Sequence, residues 1–154
     1  MEFRWLDIGC GDNPRGTVNV DKYLISPEIR LSKVETEADV IADVEKGLPF
    51  PDKSFEIVTA YHVLEHTENI LKALLELIRV SNYLVIIRVP HRLSRYNKLP
   101  YHRHQYLNVK FFKRILEKLK KYRVIRAYDI EVHYKPHVKY FLQLPDEIEV
   151  FIWV

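Results

Sequence analysis

The sequence is short of the features that mark secreted, membrane-spanning and cysteine-rich metal proteins. Cys10 is the single cysteine among 154 residues, so the chain cannot form an internal disulfide or a cysteine-based metal cluster. No apolar run is long enough to span a bilayer, and the first residues lack the pattern of a secretory signal. With 47% hydrophobic and 29% charged residues and only four glycines, residues 1–154 are expected to form one globular domain in the cytoplasm.

Acidic residues are scarce in one part of the chain, although the net charge is only +3. From Arg88 to Arg126 there are thirteen lysines and arginines against one acid, Glu117. One interpretation is a solvated helix face followed by a loop. The other is a segment that lies beside an anionic substrate, such as nucleic acid, a phosphorylated metabolite or a nucleotide sugar. Composition alone leaves both interpretations open.

Strand and helix patterns alternate along most of the chain. Short β-branched or aromatic segments predict seven strands, and apolar residues at helical spacing predict two helices, after the fourth and fifth strands. The predicted strands are Arg4–Gly9, Thr17–Asp21, Asp39–Asp43, Phe55–Tyr61, Tyr83–Val89, Tyr122–His133 and Glu147–Val154, and the helices are Glu68–Val80, capped by Thr67, and Val109–Lys121, capped by Asn108. This alternation indicates an α/β fold with a doubly wound, Rossmann-like parallel sheet.

The first half of the chain lacks the helices that such a sheet normally has. Asp12–Val18 is a short connection, and Pro14 with Gly16 prevents a crossover helix there. Leu24–Ala38 has room for at most a short helix after Ser26. One sheet face is therefore expected to be poorly covered by helices, although the fourth and fifth strands are apolar on both sides. We expect a second subunit, in a homodimer, or another partner to cover that face.

The segment Trp5–Asp12, WLDIGCGD, combines an apolar strand, an acid and two glycines. Gly9 and Gly11 allow the backbone to turn sharply and to approach a ligand closely, as in nucleotide-binding sites. An ordinary tight turn is the alternative, because two glycines after a strand are weak evidence by themselves. A carboxylate just below such a turn, here Asp7, suits an ammonium or hydroxyl group better than a phosphate.

The spacing of the following residues disfavours a nicotinamide dinucleotide. Pro14 stands where the third glycine of that fingerprint belongs, and Asp21 follows Gly11 by ten residues instead of about twenty. Cys10 is expected to serve as a small residue of the turn, and a role as nucleophile is disfavoured.

Four motifs in order resemble those of the class I S-adenosylmethionine-dependent methyltransferases. They are LDIGCG at Leu6–Gly11, VNVD at Val18–Asp21, IADVEKGLPFPDKSFEIV at Ile41–Val58 and AYHVLEH at Ala60–His66. The resemblance extends from about Trp5 to Leu116. It implies methyl transfer from S-adenosyl-L-methionine and a mostly parallel sheet with an antiparallel last strand.

The resemblance also assigns roles within the cofactor site. The glycine motif would lie along the methionine part of the cofactor, Asp21 would bind both ribose hydroxyls, and Asp43 with the following backbone would hold the adenine. The loop after the fourth strand would lie below the methyl group. The residues expected to contact the cofactor are Asp7, Gly9, Cys10, Gly11, Asp21, Lys22, Asp43, Val44, Tyr61 and His62.

Two departures from the family pattern are visible. Val80-Ser81-Asn82 stands in place of the usual LKPGG before the fifth strand, which is expected to tighten a turn. The connection Asp12–Val18 lacks the usual first crossover helix, which bears on the affinity for the cofactor.

Methyl transfer from a sulfonium depends on alignment and needs a base only when the acceptor holds its proton. His62, directly after the fourth strand, is the first candidate base, unless it only hydrogen-bonds the cofactor or the loop. His104 is the second candidate. Glu65 and His66 are expected to cap the next helix or to brace the loop. His102 and His104 lack a third ligand nearby in sequence, so no metal is expected.

The long loop Pro90–Asn108 is rich in histidine, arginine and tyrosine, and loops of this length are usually functional. We expect a substrate lid whose Arg92, Arg95 and Arg103 meet an anionic acceptor. The motifs of DNA-base methylases are absent after the fourth strand, which leaves oxygen, nitrogen or carbon acceptors on small molecules, sugars, proteins or RNA. A catalytically silent cofactor-binding module, or a nucleic-acid-binding module, of the same fold is the alternative.

Overall fold

The computed structural model describes residues 3–25, 35–137 and 142–154, and these form one seven-stranded sheet with two α-helices. The strands are β1 (Trp5–Ile8), β2 (Val18–Asp21), β3 (Val40–Ile41), β4 (Phe55–Tyr61), β5 (Ser81–Pro90), β6 (Ala127–His137) and β7 (Leu142–Trp153). The helices are α1 (Ile70–Val80) and α2 (Val109–Lys121), and short 3-10 helices span Leu64–His66 and Arg95–Lys98.

The sheet has the strand order β3-β2-β1-β4-β5-β7-β6. Neighbours from β3 to β5 are parallel, whereas β7 is antiparallel to both β5 and β6. The mostly parallel sheet with an antiparallel last strand is therefore confirmed. The chain order reverses between β1 and β4, and the crevice at the carboxyl ends of the strands beside such a reversal is the usual ligand site of open α/β sheets.

Both helices cover the same face of the sheet. Alternate residues of the central strands are buried there against apolar residues of α1 and α2. The buried strand residues include Val58, Ala60, Val85, Ile87, Val150 and Ile152, and the helix residues include Leu74, Leu77, Phe112 and Leu116. The side chains between them in the strands point to the opposite face, which neither helix covers. We call this the open face, and its half-buried apolar residues are Trp5, Ile57, Leu84, Ile86, Phe151 and Trp153.

The open face confirms the expectation of one poorly covered side. The short helix expected after Ser26 falls within residues 26–34, which lie outside the described residues. The Asp12–Val18 connection contains no helix, because Pro14 and Gly16 interrupt it as predicted.

The helix caps agree with the sequence for α2 and differ for α1. Asn108 accepts a hydrogen bond from the N–H of Phe111 at 3.0 Å, as expected. The predicted cap Thr67 is wrong, because its hydroxyl donates to Leu64 O at 2.8 Å, and Asn69 caps α1 instead. Within the described ranges, no helix combines the length and the apolar sequence that crossing a membrane requires.

Several predicted boundaries are wrong for local reasons. Tyr122 is not the start of a strand, because its N–H still closes the last turn of α2 and Arg123 then turns with φ +58. The third strand is reduced to Val40–Ile41. The expected turn at Val80-Ser81-Asn82 does not exist either, because α1 ends at Val80 and β5 begins at Ser81.

Candidate functional site

The glycine turn after β1 packs against β2 and against the loop after β4. Gly9 and Gly11 have left-handed backbone, with φ of +71° and +56°. The N–H groups of Gly9 and Cys10 donate to Val20 O at 2.8 and 3.2 Å, which holds the turn on the end of β2. A Cβ on Gly9 would lie 2.4 Å from Cγ2 of Val63. Both backbone conformation and space therefore require glycine at this position.

Asp21 ends β2 with its carboxylate directed at the glycine turn. Its Oδ2 accepts a hydrogen bond from the N–H of Gly11 at 2.9 Å, and its Oδ1 accepts one from the N–H of Tyr23 at 3.1 Å. A carboxylate offers about four acceptor directions, so each oxygen retains capacity for one more donor. This half-buried carboxylate is placed to accept hydrogen bonds from two neighbouring hydroxyls of a ligand.

Asp43 lies beside Asp21 across the end of the sheet and is held as a carboxylate. Its Oδ2 is 3.0 Å from Nζ of Lys22, and its Oδ1 accepts from the N–H of Glu45 at 3.0 Å. Burial by itself would raise the pKa of Asp43, but the Glu45 N–H and the Lys22 ammonium outweigh burial and lower it. The structure therefore brings together Asp21, Lys22 and Asp43, as the motif order implied.

A cleft of about 450 Å³ opens beside Asp43. Its lining is charged or amide-bearing and consists of Lys22, Asp43, Glu45, Lys46, Glu68, Asn69 and Lys72. Glu45 is a residue that the sequence analysis missed, and its carboxylate accepts from the N–H groups of Asn69 at 2.7 Å and Glu68 at 3.0 Å. A carboxylate at these N–H groups stabilises the first turn of α1. No local spacing links Glu45 to that helix, so no sequence signal was available.

Asp7 lies beneath the glycine turn and is completely buried. Its Oδ1 accepts from the Thr59 hydroxyl at 2.6 Å, and its Oδ2 accepts from the N–H of Arg15 at 3.3 Å, with Nη1 of Arg15 at 3.6 Å. Burial raises the pKa of Asp7 in spite of these contacts. Because Arg15 and Thr59 engage both oxygens, a ligand ammonium would reach Asp7 only by displacing Arg15.

Tyr61, the last residue of β4, lies between two guanidinium groups. Arg15 is 4.9 Å and Arg88 is 4.7 Å from the ring centroid. Arg88 also donates to Glu149 Oε1 at 2.8 Å. Burial raises the pKa of Tyr61, so the phenol is neutral around pH 7. These contacts hold the ring on the open face beside Asp7.

Cys10 and Val44 are the two apolar members of the expected cofactor site, and both are buried. Burial, with a smaller contribution from Asp21, raises the pKa of the Cys10 thiol to about 11. The thiol is therefore protonated at neutral pH, which supports a packing role in the turn and disfavours a nucleophile.

His62 follows β4 in a left-handed conformation with φ +57°, which is uncommon for a residue with a Cβ. Its N–H donates to Arg88 O at 2.8 Å. In its ring, Nδ1 lies 3.3 Å from Glu65 Oε1 and Nε2 lies 3.1 Å from Glu147 Oε1. Its contact with Glu65 raises the pKa of His62 more than burial lowers it, and Glu147 adds to the rise. The side chain is 48% exposed, so an acceptor can approach it.

The loop Pro90–Asn108 is anchored on the segment after β4. The N–H groups of Arg103 and His104 donate to Glu65 O at 2.9 and 3.2 Å. The start of the loop is held on β7, because the backbone N–H of His91 donates to Asp146 O at 2.8 Å. His104 is therefore close to the segment that carries His62, and its Nδ1 contacts the Tyr106 hydroxyl at 3.0 Å.

The structure describes the side chains of two of the three loop arginines that are expected to meet an anionic acceptor. Arg92 and Arg103 are exposed, and Arg103 lies 3.7 Å from Glu68. The Arg95 side chain lies outside the described part of the chain. The role of these residues toward an anionic acceptor stays a prediction.

One of the two alternatives expected for Glu65 and His66 is wrong: they do not cap α1, because Asn69 and Glu45 do so. The other alternative, bracing a loop, agrees with their contacts, because Glu65 O accepts from the N–H groups of Arg103 and His104, and His66 Nδ1 contacts Tyr101 O. Glu147 was missed as a site residue. It enters the site because the antiparallel register pairs it with Pro90 at the end of β5, and only that register reveals the placement.

Comparisons with known proteins give matches of sequence and of fold. Residues 6–82 match the family model described as a methyltransferase domain. The chain is 30% identical to an uncharacterized methyltransferase of Schizosaccharomyces pombe over 51% of its own length and 36% of that protein, so it spans about a third of that relative.

Solved structures share the fold. A SAM-dependent methyltransferase from Archaeoglobus fulgidus is 20% identical with a TM-score of 0.68, covering 99% of this chain and 86% of that one. The plantazolicin methyltransferase BpumL, crystallised with a pentazolic desmethylPZN analog and SAH, is 16% identical with a TM-score of 0.66, covering 98% of this chain and 76% of that one.

Proposed function

This chain belongs to the methyltransferase domain family, among the class I S-adenosylmethionine-dependent methyltransferases, and we propose that it methylates an oxygen, nitrogen or carbon atom of an anionic acceptor. The observation that carries the proposal is the convergence of the glycine turn, Asp21 and His62 at the carboxyl ends of β1, β2 and β4. That edge, next to the reversal of strand order, is where open α/β sheets bind ligands.

The residues present fit the cofactor in backbone and in charge. Gly9 and Gly11 expose backbone without side chains, and Asp21 retains acceptor capacity for the ribose hydroxyls. Asp43 and the backbone of Val44 would hold the adenine beside the cleft. Asp7 would act through Arg15 and Thr59 as a brace of the turn, because it is completely buried beneath them.

The bound cofactor supplies a methyl group on a positively charged sulfur. His62 is the proposed base, with Nδ1 held by Glu65. Because Glu65 and Glu147 raise the pKa of His62, Nε2 would have to give up its proton and its contact with Glu147 before it could accept a proton from the methyl acceptor. His104 is the second candidate, since its backbone contacts Glu65 O from the neighbouring loop. Alignment by the glycine turn supplies the larger part of the catalysis in this mechanism.

An anionic acceptor is supported by the basic side chains around α2. Arg92 and Lys110, with His91, Asn108 and Val109, line a cleft of about 250 Å³ at the N-terminal end of that helix. The helix terminus adds partial positive charge to the two cations. Nucleic acid is one class of anionic methyl acceptor that this positive charge would attract, and phosphorylated small molecules are another.

Calorimetric titration with S-adenosylhomocysteine tests the cofactor site directly, and failure of the wild-type protein to bind would contradict the proposal. Incubation with radiolabelled S-adenosylmethionine and fractionated cell extract then tests transfer. Label in a fraction that stays unlabelled without the protein supports an enzyme. Binding with no labelled fraction favours the catalytically silent module, and a steep salt dependence of nucleic-acid affinity favours the nucleic-acid-binding module.

We further propose that a second copy covers the open face in a cytoplasmic homodimer. Light scattering at micromolar concentration is expected to give about twice the chain mass of 18.5 kDa. Phe151→Lys, on the open face, should shift the mass toward the monomer, because a buried cation without a partner is costly. Tyr122→Lys is the matched control, since Tyr122 is 74% exposed on the α2 side. A monomeric wild-type protein would contradict the dimer.

A further inference from the structure

Three ionisable side chains lie together where the segment after β4 meets the loop Pro90–Asn108. Glu65, His66 and His102 each offer one ligand atom, and these atoms all lie within 4.8 Å of one another. Glu65 is completely buried; its Oε2 has neither a hydrogen bond nor an ion pair among the described residues, and besides His66 its Oε1 is approached only by Nδ1 of His62 at 3.3 Å. Nδ1 of His102 is also buried without a hydrogen-bond partner among the described residues. Buried acceptors left in this state are costly unless a cation completes them.

The ring of His66 is oriented by the backbone of the neighbouring loop. Nδ1 of His66 lies 3.2 Å from Tyr101 O, and because a carbonyl only accepts hydrogen bonds, this nitrogen donates a proton. This leaves Nε2, 3.9 Å from Glu65 Oε1, as the nitrogen available to a metal. Metal-binding histidines are typically oriented by such a hydrogen bond to a backbone carbonyl.

We propose that Glu65, His66 and His102 bind a divalent transition-metal ion of the Zn²⁺ type. One carboxylate and two imidazoles form a ligand set that suits such ions. Ligand atoms around a tetrahedral ion at about 2.1 Å lie roughly 3.4 Å apart, so the 3.9 Å between His66 Nε2 and Glu65 Oε1 needs a small closure. The pairs with His102, which lie within 4.8 Å, need at most about 1.4 Å. Burial of Glu65 separates this cluster from the exposed acidic groups that are common on protein surfaces.

Three protein ligands leave further coordination positions open to a substrate. His66 is 39% exposed and His62, which lies 3.3 Å from Glu65 Oε1, is 48% exposed, so the cluster opens toward the same mouth as the methyl-transfer site. An acceptor hydroxyl on the ion would lose its proton more readily. This role deepens the proposed function and rests on it, and it narrows the acceptor to a hydroxyl-bearing molecule.

A second cluster of similar composition is less suited to a cation. Glu131, His133 and Glu149 also bring ligand atoms within 4.8 Å of one another on the open face. There the carboxylate of Glu149 accepts from Arg88 at 2.8 Å and lies 2.9 Å from Nε2 of His133. The guanidinium already neutralises Glu149 and repels a metal ion. This cluster therefore provides the matched control.

The test is calorimetric titration of tag-free, chelator-treated protein with ZnCl₂ and, separately, with MgCl₂. We expect one Zn²⁺ per chain, weaker Mg²⁺ binding, and a loss of at least about tenfold in Zn²⁺ affinity for His66→Ala. His102→Ala should act in the same direction, and His133→Ala should leave the affinity unchanged. Because His66 is partly exposed, its variant is expected to fold, and circular dichroism verifies this. Co²⁺ loaded in place of Zn²⁺ should show visible absorption that His66→Ala changes.

The proposal is overturned if wild-type protein binds no Zn²⁺, if Mg²⁺ binds more tightly, or if affinity is lost in His133→Ala and retained in His66→Ala. S-adenosylhomocysteine titrations on the same samples separate the two proposals. Cofactor binding without Zn²⁺ binding removes only the metal site. Zn²⁺ binding without cofactor binding removes the proposed function and leaves the metal site standing.

Discussion

Gly9→Ala is expected to lower the free energy of unfolding by about 2 to 5 kcal/mol, the sum of two separate costs. The left-handed backbone at φ +71° costs a residue with a Cβ about 1 to 2 kcal/mol. The added Cβ would also lie 2.4 Å from Cγ2 of Val63, and overpacking of this kind costs about 1 to 3 kcal/mol. Urea denaturation followed by circular dichroism measures the sum.

Two further variants separate the backbone cost from the steric cost. Gly47 also has a positive φ, +100°, but a Cβ there would meet nothing nearer than Glu76 Oε1 at 3.9 Å. Gly47→Ala should therefore show the backbone cost alone. In a Val63→Ala background the cost of Gly9→Ala should fall toward that of Gly47→Ala. Equal costs of Gly9→Ala in the wild-type and Val63→Ala backgrounds would contradict the steric contribution, and a Gly9→Ala cost below about 0.5 kcal/mol would contradict both contributions.

The sheet could be predicted from the sequence because its strands are short and bounded by strong turn residues. Phe55–Tyr61 is predicted with the bounds that the structure has, since a turn at Asp52 and Lys53 precedes the strand and His62 bends the backbone after it with φ +57°. Element ends failed where the pattern continues past the end of an element. Tyr122 has the aromatic character of a strand residue, yet its N–H completes α2.

The residues of the candidate site also fall into those that the sequence predicts and those that it does not. Asp21 and the glycine turn could be predicted to meet, because the carboxyl ends of neighbouring parallel strands share one edge, and the Gly11 to Asp21 hydrogen bond confirms that contact. The placement of Glu147 and Glu45 could not be predicted. Glu147 reaches the site through the β5–β7 register, and Glu45 contacts α1 from a loop that crosses to that helix. Glu65 had no signal of burial in its sequence neighbours.

Asp7 and Asp21 show why a motif assigns position more securely than role. Both carboxylates lie at the glycine turn, but Asp7 is completely buried and both of its oxygens are engaged by Thr59 and Arg15. Asp21 is half-buried, and its partners are backbone N–H groups that leave acceptor capacity on each oxygen. The physical difference makes Asp21 the acid that a ligand hydroxyl can reach.

Asp21→Ala is accordingly expected to weaken binding of S-adenosylhomocysteine by about 1 to 3 kcal/mol, or about 5- to 150-fold. The loss arises because ribose hydroxyls would lose hydrogen bonds to a charged acceptor. Calorimetric titration measures the affinity. Asp12→Ala is the control, since Asp12 is an exposed acid in the same turn.

The variant also removes the acceptor for the N–H of Gly11, so a structural effect has to be separated from loss of ligand contacts. Asp21→Asn keeps one acceptor oxygen without the charge, so it can still satisfy Gly11 while offering the ribose less. Its affinity should lie between those of the wild type and Asp21→Ala, with an unfolding free energy closer to the wild type. If Asp21→Ala binds as tightly as Asp12→Ala, the carboxylate braces the turn and does not hold the ribose, and the assignment made from the second motif is wrong.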